Sequence, residues 1–199
     1  IVYHVASRVQ TRKTGADEVF DVNVGGTRLL MEACRKQSTK RLVYVSSASV
    51  VYGGQDIEGG DESLPYPAHF HAPYAATKAQ AEREVLEASD AELATCALRP
   101  HIVFGPGDTR FFPAVLSRAR SGRLKAYVGD PHKKSDFTYV DNLVDGILLA
   151  GDALAPSNKL AGQAYFVTNG EPLAFWELVG RLLDGLGLAR PTTRVPYPI

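Results

Sequence analysis

Very little in this sequence marks a specialised partner. Basic and acidic residues balance at 22 each. With no basic excess and no long run of one sign, nucleic acid is a poor candidate for the main partner. Long hydrophobic runs are missing too: the most apolar stretch, LVDGILLAGDALA, is short and broken by aspartates, so no span of a bilayer is written here. Only two cysteines occur. Cys34 and Cys96 sit in apolar segments without metal-ligand spacing and read as reduced core residues rather than a disulfide. His69 and His71 lack a third ligand at sensible spacing, so they read as loop residues and no metal site is expected. Repeats and low-complexity tracts are also absent. What remains, at 45% hydrophobic and 22% charged over 199 residues, suits one globular domain with a sizeable core, or one domain with a small appendage.

The chain opens on IVYHVAS, with neither an initiator Met nor a preceding turn, and reads as the middle of a domain. Ile1 to Ala6 has the β-branched and aromatic content of a short buried strand. In GADEVFDVNVGGTRLLMEACRKQ, Val22, Gly26, Leu29, Leu30 and Ala33 fall at helical spacing. Gly25 and Gly26 weaken an isolated helix, so close packing on a neighbour is expected there. RLVYVSS is a second, nearly continuous apolar strand, as a parallel strand covered on both faces requires. A Gly- and Pro-bearing loop from Gly53 to Pro73 leads into a helix that runs to about Glu87. LATCALRPHIVFG is a third strand, ending at the turn GPGD. Beyond Gly107, FFPAVLSRARSG, VDNLVDGILLAGDAL and LAFWELVGRLLDGLG read as helices, and LKAYVG and GQAYFVTN as strands. This alternation predicts an α/β fold with a doubly wound parallel sheet. Residues 1–107 would carry the catalytic part of the nucleotide-binding sheet. Residues 108–199 would supply the rest of the sheet and a small C-terminal substrate lobe, interleaved with the first part as one domain.

In HAPYAATKAQAE, Tyr74 and Lys78 stand one helical turn apart on one face. With nine tyrosines in the chain, such a spacing arises readily by chance, and an ordinary polar patch is the bland alternative. The second strand changes the weighing. It runs out at Ser46 and Ser47, at the sheet edge where ligand chemistry sits in such folds. A free tyrosine titrates near 10 and is a poor base near neutrality. A nearby ammonium favours the phenolate and lowers that value. Tyr74 can then exchange a proton with a substrate hydroxyl while hydride leaves the same carbon, and a serine hydroxyl can hold the same oxygen. Bland readings stand beside the others. The serines could cap a strand end, Asn23 could be a buried hydrogen-bonding residue, and His4 reads as packing beside the first strand. Phe175 and Trp176 read as packing residues, and Arg118, Arg120 and Arg123 as a solvated helix face.

YVSSASVV, PYAATKAQAE, LRPHIVFGPGD and DFTYVDN, in that order and at these separations, resemble the extended short-chain dehydrogenases/reductases. GQAYFVTNGEPLAFWELVGRLLDGLGL is similar to their 3β-hydroxysteroid dehydrogenase group, nearest the members that oxidise and decarboxylate sterol 4α-carboxylates. The resemblance covers essentially the whole chain. It implies a Rossmann-like fold, with Tyr74 as the acid/base, Lys78 as its electrostatic partner and a bond to the nicotinamide ribose, and Ser47 as the catalytic serine. Ser46 and Ser49 remain alternatives for the serine, and Ser46 is a further cofactor contact. HVAS matches a strand end whose backbone passes the cofactor, which implicates Ala6 and Ser7. Asn23 matches the helix asparagine, and RPHIV places Pro100, His101, Ile102 and Val103 near the nicotinamide.

The same resemblance implies NAD as cofactor, with NADP open, and a small hydrophobic, sterol- or steroid-like substrate. It also implies a homodimer, paired through the Asn23 and Tyr74 helices. The expected place is the cytoplasm or the periphery of the endoplasmic reticulum membrane. The family's Gly-rich phosphate turn and its ribose-reading acidic residue are not in this sequence. VYGGQDIEGG follows the wrong strand. The first strands of the sheet are therefore expected upstream of Ile1, and weak dinucleotide affinity and no useful activity are expected of the chain alone. Sugar-nucleotide relatives carry an arginine just before the Asp of DFTYVDN, suited to a diphosphate. Ser135 stands there instead, which favours an apolar ring system. Two alternatives stay open: an NADPH-dependent reductase of another hydrophobic carbonyl compound, and a non-catalytic protein that kept the dinucleotide scaffold.

Overall fold

The computed structural model describes residues 1–10 and 15–196. They form two compact units. One comprises Ile1–His101 with Leu143–Val167, the other Ile102–Asn142 with the segment from Thr168 onward.

The first unit is built on a parallel sheet. Strands β1 (Val2–His4), β2 (Arg41–Val45) and β3 (Ala94–Pro100) pair in register, Val2 opposite Leu42 and Arg41 opposite Ala94. A later strand, Gln163–Val167, joins β3 at the far edge, with Cys96 opposite Gln163. Leu42, Val43, Tyr44 and Val45 are all buried, because both faces of β2 are covered. On one face Val43, Val45, Cys96 and Leu98 pack with Leu143, Ile147 and Ala150 of the helix Val140–Ala153. On the other, Leu42, Tyr44 and Ala97 pack with Cys34, Ala81 and Val85. A residue alternation of two thus feeds two cores. Both cysteines are buried and free, as their apolar settings require.

Three sequence expectations are corrected here. The first strand is shorter than Ile1–Ala6 and only half-buried, since it is an edge of this sheet and its pairing stops at His4. Val5 is already 55% exposed. Second, the helical segment is not one regular helix. Helix α1 (Ala16–Phe20) passes through a π turn, Asp21–Gly25, into α2 (Gly26–Lys36). The wide turn shifts the helical phase, so the buried face carries Val19, Asn23, Val24, Thr27 and Cys34, while Val22 and Leu29 are exposed. Third, Gly25 and Gly26 permit no close approach among the described residues. A Cβ on Gly25 would meet nothing within 4 Å, and on Gly26 only the Asp21 carbonyl at 4.0 Å. A close approach is made instead at Gly151, among others, where a Cβ would lie 2.6 Å from the Tyr3 ring.

Helix α3 (Pro73–Glu87) starts with Pro73 in its first turn, where the missing N–H costs nothing. The loop before it packs Leu64, Tyr66 and Phe70 on Val50, Val51 and Ala79.

The second unit holds three short strand pairs, including the antiparallel match of Lys134 with Ala174. The helices Phe111–Arg120 and Phe175–Gly185 belong to it. Asp108 caps the first of them, its carboxylate accepting from the N–H groups of Arg110, Phe111 and Phe112. Phe175 lies edge-on to Phe111 and Trp176, with ring centroids 5.4 and 5.1 Å away. These rings pack against one another, and Trp176 Nε1 donates to the Val128 carbonyl at 3.3 Å.

Candidate active site

The end of β2 and the first two turns of α3 meet through one hydrogen bond. Lys78 Nζ donates to the carbonyl of Val45 at 2.7 Å, and Val45 is the last residue of β2, two before Ser47. The lysine is only 1% exposed and its Nζ also lies 4.0 Å from the centre of the Tyr44 ring. Burial pushes the Lys78 ammonium down to about 7, with Glu82 opposing the fall. Tyr74 stands one turn earlier on α3 and is half-buried.

Two tyrosines therefore flank one lysine, and their surroundings separate them. Tyr44 is 1% exposed, and burial first, then the neighbouring Tyr74 and Glu82, push its phenol up. It serves as a wall for the ammonium. Tyr74 is half-buried and is the more accessible of the two.

Ser47 is half-buried and N-caps the short 3-10 turn Ala48–Val51. Its Oγ accepts from the Ser49 N–H at 3.2 Å and from the Ser49 hydroxyl at 2.9 Å. With its acceptor side engaged, its own hydroxyl hydrogen is left to donate. Ser46 is turned inward at 4% exposure. Its N–H donates to the Leu98 carbonyl at 2.7 Å, and its Oγ is buried without a protein partner.

Asn23 lies inside the π turn and fastens the loop after β1. Its Oδ1 accepts from the Arg8 N–H at 2.7 Å; its Nδ2 donates to the Arg8 carbonyl and to Thr77 Oγ1, both at 3.0 Å. Ala6 and Ser7, just before Arg8, are exposed. His4 packs on Tyr44 with ring centroids 5.2 Å apart and shares a 2.8 Å hydrogen bond with Thr27 Oγ1. Thr27 Oγ1 itself donates to the Asn23 carbonyl, so His4 carries its proton on Nε2. Pro100 is buried at the end of β3 and His101 closes the first unit. Ile102, at φ 30°, and Val103 open the second. His71 sits in the loop and contacts the Gly53 carbonyl, and no metal-ligating cluster occurs among the described residues.

The site contains a group that the sequence reading passed over. Glu82, one turn beyond Lys78, is fully buried. Its carboxylate accepts from Arg99 Nη2 at 2.7 Å and from the Tyr66 hydroxyl at 2.6 Å. The signal was present: Tyr74, Lys78 and Glu82 recur every four residues and so share one helix face.

Residues 1–197 match the model of the 3-beta hydroxysteroid dehydrogenase/isomerase family. The chain belongs to that family. Over 183 residues it is 45% identical to 3beta-hydroxysteroid-dehydrogenase/decarboxylase isoform 1 of Arabidopsis thaliana, covering 89% of this chain and 42% of that protein. It is 49% identical to 2-alkyl-3-oxoalkanoate reductase of Stenotrophomonas maltophilia, covering 91% of this chain and 55% of the reductase. This member of the 3-beta hydroxysteroid dehydrogenase/isomerase family thus spans about half the length of the curated relatives it matches. Among solved structures, UDP-glucuronic acid 4-epimerase of Bacillus cereus, in complex with NAD, superposes with a TM-score of 0.82 at 20% identity. That match covers 98% of this chain and 62% of the epimerase, and it establishes the Rossmann-like fold.

Proposed function

We propose that this chain carries the acid/base machinery of an NAD(P)-dependent oxidoreductase that oxidises the 3β-hydroxyl of a sterol or steroid. The observation that carries this reading is the buried Lys78 ammonium, fixed to the Val45 carbonyl at the end of β2, two residues before Ser47, on the helix face that bears the half-buried Tyr74 one turn earlier.

The residues present suit the nicotinamide side of a dinucleotide. Ala6 and Ser7 are exposed where β1 ends, Ser46 holds a buried hydroxyl at the end of β2, and Lys78 has donors beyond the one given to Val45. These residues, with Tyr74, Pro100 and His101 of the same unit, would hold the cofactor. Asn23 would act by fixing the loop that carries Ala6 and Ser7. When bound, the dinucleotide supplies the hydride acceptor.

Tyr74, one helical turn from the Lys78 ammonium, takes the proton of the substrate hydroxyl as the general base. The C–H electron pair leaves as hydride, and the C–O bond becomes a ketone. Ser47 donates its hydrogen bond to that oxygen throughout. On a 4α-carboxylated sterol the product is a β-keto acid. Breaking its C–C bond releases CO2 and places the electron pair in an enolate, which Ser47 and protonated Tyr74 stabilise by hydrogen bonding. Pairing of two subunits fits the exposed Val22 and Leu29. No described helix is long and apolar enough to cross a membrane.

A second reading has one specific support, the 49% identity to an oxoalkanoate reductase. In that direction Tyr74 gives its proton to a ketone of an acyl chain. The test is an assay of the protein that carries this chain. NADH formation is followed with a 4α-carboxysterol and with a plain 3β-hydroxysteroid, and NADPH consumption with a 2-alkyl-3-oxoalkanoate. Turnover of the sterols supports the proposal; turnover of the oxoalkanoate alone replaces it with the second reading.

A further inference from the structure

Glu82 has no part in the acid/base scheme proposed above, yet it is among the most buried of the described groups. A buried Arg–Glu pair contributes little net stability, because the desolvation of both ions offsets their attraction. Its position says more. Tyr74, Lys78 and Glu82 follow one another at four-residue intervals along one face of α3, so the carboxylate lies one turn below the ammonium. Its geometry is fixed from two sides. Arg99 of β3 approaches with Nη2 at 2.7 Å and Nε at 3.1 Å from Oε1. Tyr66, in the loop between the serine turn and α3, closes the third contact. Arg99 is itself packed over the Phe166 ring at 5.5 Å.

We propose that Glu82 is a positioning residue that acts through Lys78: its clamped carboxylate keeps the buried ammonium charged and aimed at the end of β2. This rests on reading Tyr74 and Lys78 as the acid/base pair. The groups around the ammonium are few. His4 and Tyr44 face it from β1 and β2, and Tyr74 and Glu82 from α3, with Arg99 and Tyr66 behind the carboxylate. His4 is held uncharged by burial and by Lys78 itself, and Tyr44 by burial. Glu82 is therefore the carboxylate that offsets desolvation at Lys78. Without it, none of these groups would oppose that desolvation, and a lysine ammonium, unlike a guanidinium, is able to lose its proton.

The test reads Lys78 directly. In protein labelled with 13C and 15N at lysine, the Lys78 side-chain resonance is assigned by its loss in Lys78→Met and titrated by NMR. The expected midpoint is about 7 in the wild type, clearly lower in Glu82→Gln, and partly restored in Glu82→Asp. Glu82→Gln strands Arg99, so the double variant Glu82→Gln/Arg99→Met, which removes both charges, guards against simple misfolding. It too should show a lowered midpoint with native near-UV circular dichroism. An unchanged midpoint in the folded double variant would overturn the inference and leave Glu82 as a structural ion pair. If the midpoint falls as expected but Tyr74→Phe leaves turnover intact, the electrostatic role of Glu82 stands and the catalytic reading fails.

Discussion

Lys78 donates a hydrogen bond from its ammonium to the carbonyl of Val45 at 2.7 Å, and that bond joins the helix bearing Tyr74 to the strand that ends at Val45, two residues before Ser47. A lysine used this way costs stability. Its folded pKa, about 7, lies below its ordinary 10.5. The unfolded chain therefore binds more protons between those values, and stability rises with pH across that window.

Replacing Lys78 by methionine should remove that cost while keeping most of the packing. The variant is expected to be as stable as the wild type or more so at pH 7. It should lack the rise in stability between about pH 7 and 10.5, which in the wild type reaches up to about 4 kcal/mol. Urea melts at pH 6.5, 8 and 9.5 measure this directly. Loss of activity in a stabilised variant is the pattern expected of a functional strain site.

His4 sets a limit on the acid side. Burial, then the Lys78 charge, lower its pKa to about 4 from 6.5. The unfolded state takes up the proton first as pH falls, so this stability is present above about pH 6.5 and lost on the way down to about 4. The loss is at most about 3 kcal/mol. His4→Gln retains a donor toward Thr27 and should flatten this part of the stability profile, as thermal melts between pH 7 and 4.5 would show.

Asn23→Ala should cost about 1–3 kcal/mol by leaving the Arg8 N–H and carbonyl without their partner. The damage should be local. Hydrogen exchange at the Arg8 amide is expected to speed up while the amides of β2 and β3 keep their protection. Unchanged exchange at Arg8 would mean that the loop carrying Ala6 and Ser7 is held by something else.

What could be read from the sequence followed the regularity of the pattern. RLVYV announces a doubly covered parallel strand because every residue is apolar, and PYAATKAQAE announces a helix because proline opens it and nothing breaks it. The segment around Asn23 misled for a physical reason. A π turn breaks the 3.6-residue phase, and the buried face carries polar Asn23 and Thr27, so Val22 and Leu29, chosen by period, point outward while Leu30 packs on the core. Glu82 went unseen because a glutamate in AQAEREVLE looks like any solvated charge. Only the approach of Arg99 from β3 and Tyr66 from the loop, at sequence separations of 17 and 16, makes it a buried one. Residue type does not separate Ser46 from Ser47 in the sequence; in the fold the strand ends at Val45, Ser46 turns inward and Ser47 is half-buried.

The most direct test of the account is the turnover of Tyr74→Phe, measured at saturating cofactor in the protein that carries this chain. Phenylalanine keeps the ring and removes the hydroxyl, so the fold should be unchanged while turnover falls by about 10²–10⁴-fold. Turnover equal to the wild type, in a protein with an unaltered melting temperature, would contradict the assignment of Tyr74 as the acid/base.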